Sequence, residues 1–106
     1  MAFDPKTRAL DIPPGAAADP ECGEVLRAWI VNQGLQVSLT PSAFGPDGAP
    51  WGMLLVDIAR HVARALNAET GADEQVTLAT IRQMFDAEWD HVTDPGTTEK
   101  HAPKGH

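Results

Sequence analysis

The sequence predicts an α+β domain: an antiparallel β-hairpin packed on two α-helices, in ββαα order, with room for a short extra edge strand. Three observations predict it. Residues 51–66, WGMLLVDIARHVARAL, place Trp51, Leu54, Leu55, Ile58, Val62, Ala65 and Leu66 at helical spacing, with Asp57, Arg60, His61 and Arg64 on the opposite side. Residues 35–40, LQVSLT, alternate apolar and polar with the period of two shown by a half-exposed strand. Between that run and EVLRAWIV (24–31) stand Asn32, Gln33 and Gly34, whose turn chemistry joins the two runs as a hairpin.

Residues 1–19 carry Pro5, Pro13, Pro14, Gly15 and an alanine run, and read as an irregular arm. Leu10 and Ile12 are the residues that would tack it to the body as the extra edge segment. Pro13-Pro14 would then end any strand by removing two backbone donors. The branched and aromatic residues of 24–31 suit a strand, and Gly34 is expected to take the positive φ of the turn. Loop length sets the register. A two- or four-residue loop places Leu26, Ala28 and Ile30 beside Leu35, Val37 and Leu39, whereas a three-residue loop with a bulge places Val25, Arg27 and Trp29 there. The first is preferred, because the second would bring Arg27 onto the core face. Arg27 and Trp29 then share the outer face with Gln36 and Ser38.

Residues 41–50, with three prolines and two glycines, read as a loop anchored by Phe44, and Pro50 suits the first turn of the next helix. That helix is expected over 51–68. Thr70-Gly71-Ala72-Asp73 is a capping pattern leading into a second helix over 73–91. Its inner stripe is Leu78, Ile81, Phe85 and Trp89, with Val76, Met84 and Val92 at the margins. An extended piece over 75–78 before a shorter helix is the alternative. Thr93-Asp94-Pro95-Gly96 ends the helix. Residues 20–94 thus form a single domain, and the polar residues 95–106 are expected to be a disordered tail.

Composition narrows the function classes. A 106-residue chain with 42% hydrophobic residues has a core, but a domain so small buries little surface, and a second copy would help it. A hairpin also has two unpaired edges and one uncovered face, so a homodimer is expected. The net charge of −7, from 8 basic against 15 acidic residues with no basic cluster, argues against nucleic acid and anionic membranes as partners. Cys22 is the only cysteine, which excludes an intramolecular disulfide and a cysteine-based zinc site. No apolar run approaches the roughly 18 residues of a membrane span, and the N-terminal residues lack a signal-peptide core. A cytoplasmic location is the expectation.

The segments IPPGAAAD, VLRAWI, VSLTPSAF, WGMLLVDIARHVARAL and IRQMFDAEWDHVTD, read in this order, resemble a domain-of-unknown-function family of short alphaproteobacterial proteins. The resemblance runs over residues 10–94 and rests on WG at the helix start, DIARH within it and FDAEW near the end. It implies a bacterial cytosolic protein of one compact domain and brings no activity with it.

Several groups have the residue types of a site. Asp57 and His61 lie four apart on one helix face, where a carboxylate orients an imidazole for acid–base work or both ligate a metal. A solvated surface pair is the plainer alternative. Arg60 and Arg64, with Arg27, have the donors to hold a carboxylate or phosphate. Glu88 and His91 form the Glu-x-x-His spacing of carboxylate-bridged metal sites, and are weak metal candidates because the chain has one such motif. Trp29 beside Arg27 suits an interface anchor. Cys22, between Glu21 and Gly23, lacks the base that a nucleophile requires. No catalytic set and no cofactor emerge. The leading expectation is a non-enzymatic homodimeric binding or interaction module. One alternative is a small enzyme or metal protein using Asp57, His61, Glu88 and His91; another is a chaperone-like regulatory partner of a larger protein.

Overall fold

The apolar-alternating runs form two antiparallel strands, β1 (Leu26–Val31) and β2 (Gly34–Leu39), in this computed structural model, which describes residues 8–91 and 96–101. The expected roles of Val92 and of residues 93–95 lie outside the described residues, as do 1–7 and 102–106. The pairing Leu26↔Leu39, Ala28↔Val37, Ile30↔Leu35 and Val31↔Gly34 is the two-residue-loop register. Arg27 and Trp29 therefore oppose Ser38 and Gln36 on the other face.

The turn differs from expectation in one respect. Asn32 (φ 51°) and Gln33 (φ 67°) take the positive dihedrals, while Gly34 is the first residue of β2. A two-residue turn that matches the right-handed twist of its strands needs φ > 0 at both central positions. The register puts Asn32 and Gln33 there, so the glycine is one residue too late to help.

Two further corrections concern the chain ends. Leu10 and Ile12 form no edge strand: they are followed by a short helix, α1 (Pro14–Ala18), with Pro14 in its first turn, a place where a missing N–H costs nothing. The extra edge strand comes from the other end. Thr97–Lys100, expected in the structureless tail, forms a strand parallel to β2, with Gln36↔Thr97 and Leu39↔Lys100 in register. The His101 N–H donates to the Leu39 carbonyl at 2.8 Å and closes the ladder. This strand, β3, satisfies backbone groups on the β2 edge that would otherwise face water. The sheet order is β1-β2-β3, so among the described residues β1 and not β2 is the hairpin strand at the edge of the sheet.

The two helices are α2 (Ala49–Thr70) and α3 (Glu74–Trp89), each longer or shorter by a few residues than expected. Pro50 sits in the first turn of α2, and Asp47 Oδ1 accepts from the Ala49 N–H at 3.0 Å. The loop before it is ordered by its own contacts. Phe44 meets Trp51 edge-on at 5.3 Å, and Trp51 Nε1 donates to the Pro41 carbonyl at 3.1 Å. Gly71, at φ 78°, ends α2 and donates to the Asn67 carbonyl; the left-handed conformation is one a glycine adopts without strain. Asp73 caps α3 by accepting from the Val76 N–H at 2.9 Å, so residues 75–78 are helical and not extended.

The α+β class and ββαα order hold. The expected contact between the layers is left open within one chain. Among the described residues, α2 and α3 pack on one another, but no strand Cα lies within 8 Å of a helix Cα. In the chain order the helical pair follows β2 through the loop of residues 40–48 and precedes β3. Ala63, 1% exposed, is the sole buried side chain among the described residues. Ile30 is 73% exposed, and the stripe Leu55, Ile58, Val62 and Leu66 faces water.

Candidate functional site

Two surfaces qualify as candidate sites. The first is a cleft of about 580 Å³ between the arm and β1, lined by Leu10, Ile12 and Ala16 on one side and Leu26, Arg27 and Trp29 on the other. Local chemistry folds the arm back to make it. Asp19 Oδ1 accepts from the Glu21 N–H at 2.9 Å, and the Cys22 thiol donates to the Ala16 carbonyl at 3.1 Å. Trp29 is half-buried here, with the arm of its own chain standing beside it. The Arg27 guanidinium is held by Glu24, with Nε to Oε1 at 3.0 Å and Nη2 to Oε2 at 3.2 Å. That bidentate pair occupies the fork that an anion would need. Leu10 is 94% exposed and Ile12 65%, so the arm does not close the cleft as a small-molecule pocket closes around its ligand.

The second candidate is apolar and comprises two faces, one on the strands β1 and β2 and one on the helices α2 and α3. On the sheet it comprises Leu26, Ala28 and Ile30 of β1 with Leu35, Val37 and Leu39 of β2. Cover falls away from the base toward the turn: Leu26, Val37 and Leu39 are half-buried, whereas Ile30 and Leu35 are exposed. On the helices it comprises Leu55, Ile58, Val62 and Leu66, spaced three or four apart along α2, with Phe85 and Trp89 of α3. Phe85 and Trp89 stack at 5.3 Å, yet Trp89 is 70% exposed. Sequence reading placed these residues in a core and so missed them as a surface. The one available signal was the breadth of the apolar band on α2, wider than a single partner helix covers.

The predicted polar residues do not converge. Arg27 and Trp29 share the cleft, while Asp57, Arg60, His61 and Arg64 line the solvent side of α2 and are all exposed. No hydrogen bond or ion pair joins Asp57 to His61. Since β1 and α2 do not approach, Arg27 stands apart from Arg60 and Arg64. His91 lies just past α3, its N–H donating to the Glu88 carbonyl at 3.2 Å. Among the described residues of one chain, no three His, Cys, Asp or Glu side chains gather as a metal-holding group. No helix of the described residues is long and apolar enough to cross a membrane.

Comparison with known proteins adds a family and a structural relative. Residues 9–93 match the model of a family described as a domain of unknown function (DUF5076). A solved structure from the photosynthetic bacterium Rhodopseudomonas palustrus CGA009, described as that of "a putative pyruvate dehydrogenase", is 34% identical to this chain. The match covers 92% of this chain and 93% of that one, with a TM-score of 0.63. No curated protein matches.

Proposed function

The chain belongs to the DUF5076 family of domains of unknown function, and from that premise we propose that it is a cytosolic homodimeric interaction module. The observation that carries this reading is the near-absence of a core in the single chain. Among the described residues one side chain is buried, while sixteen large apolar side chains are exposed. Soluble monomers rarely leave so many large apolar side chains in water with so little buried. The dehydrogenase description of the structural relative is not carried over.

A dimer whose folding is coupled to association unfolds at a temperature that rises with protein concentration. Thermal unfolding followed by circular dichroism from 1 to 100 μM tests the reading. A midpoint that climbs steadily with concentration is expected; a midpoint independent of concentration would contradict it.

A further inference from the structure

Resting on that homodimer reading, we infer that the dimer is reciprocal: the helical pair of each copy lies across the apolar sheet face of the other. The chain carries two unsatisfied apolar faces, one on β1 and β2 and one on α2 and α3, and does not bring them together itself. Their dimensions match. Strands of six residues run about 20 Å, and the outer backbones of a three-stranded sheet lie about 10 Å apart. The 16-residue α3 is about 24 Å long, and packed helices lie about 8–10 Å apart.

The amount of surface also fits. Ile30 and Leu35 on the sheet face and Leu55, Ile58, Val62, Leu66, Phe85 and Trp89 on the helices are each 37–73% exposed, and together they offer apolar surface on the order of the 800 Å² that a standard interface takes from each partner. A second copy is the occupant that covers both faces at once. Packing sheet on sheet leaves both helical pairs open, and packing helices on helices leaves both sheets open. Sheet on helices, repeated by one two-fold axis, closes all four faces.

The loop between β2 and α2 is ordered by its own contacts. Trp51 is bonded to the Pro41 carbonyl and packed on Phe44, and the Ala43 and Gly45 N–H groups donate to the Thr40 and Ser42 carbonyls at 3.1 Å. The helical pair stands apart from its own sheet, which leaves it for a partner's.

Cysteine cross-linking tests the arrangement. In a Cys22→Ser background, chains carrying Val37→Cys are co-expressed with chains carrying Ile58→Cys or Val62→Cys, oxidised, and sized without reductant. Leu35→Cys replaces Val37→Cys if the latter does not fold. Cross-linked dimer is expected from the mixed pairs and from none of the single variants alone. Cross-linked dimer from one variant alone would overturn the reciprocal arrangement and leave the homodimer standing. So would a dimer by light scattering that yields no mixed cross-link at either helix position. An intrachain disulfide in a Val37→Cys/Val62→Cys chain that remains monomeric would overturn both readings.

Discussion

Replacing Val62 by glutamate gives opposite results depending on whether the α2 stripe is covered. Val62 is 42% exposed in the single chain, one turn from Ile58 and Leu66 and with no basic residue at three or four positions to either side. If water is its normal environment, the change is mildly favourable, since glutamate forms helix better than valine by a few tenths of a kcal/mol. If a second copy covers the stripe, the cost has two parts. Covering the exposed part of a valine contributes about 0.6–1 kcal/mol, which is lost. Taking an unpaired carboxylate out of water costs about 2 kcal/mol or more. A two-fold axis places the substitution twice, so the dimer loses about 5 kcal/mol, or roughly three to four orders of magnitude in Kd. Sedimentation velocity at 1–50 μM with thermal unfolding reads both signs. We expect the Val62→Glu chain to sediment as a monomer and to unfold about 10 °C or more below the parent. An unchanged mass with an equal or higher midpoint would refute the reasoning.

Three other predictions concern elements of the fold. Gln33→Gly removes the left-handed strain of a side-chain-bearing residue at φ 67°, about 1–2 kcal/mol less the backbone entropy that glycine adds, so urea denaturation should show a stability gain of about 0.5–1 kcal/mol. Gly96→Ala should detach β3, because Gly96 has φ +66° and a Cβ there would stand 2.6 Å from the Leu35 carbonyl oxygen; faster amide exchange at Leu39 and His101, with the hairpin unaffected, is the expected readout. Asp73→Ala removes the acceptor of the Val76 N–H and should cost about 1 kcal/mol, restored in large part by Asp73→Asn or Asp73→Ser.

Much of the fold is legible in the residues because local signals agree with it. The alternation of Leu35, Val37 and Leu39 and the exclusion of Arg27 from their face lead to the observed register. Trp51 through Leu66 marks α2, and Pro50, Phe44 and Asp73 mark the loop and helix starts. What escapes a local reading is long-range. Thr97-Thr98-Glu99-Lys100 has no apolar alternation, and becomes a strand only because β2 offers it an edge. Leu55, Val62 and Trp89 carry the pattern of core residues, and a pattern of apolar spacing does not say what supplies the cover. The polar candidates fail for a related reason. Helical spacing puts Asp57 beside His61, but nothing local brings Arg27 or Glu88 to them.

Multi-angle light scattering on the untagged chain, eluted at tens of micromolar, tests the account at its centre. A single species of about 23 kDa, twice the 11.3 kDa of one chain, is expected. A species of 11.3 kDa that stays folded and soluble at that concentration would contradict it.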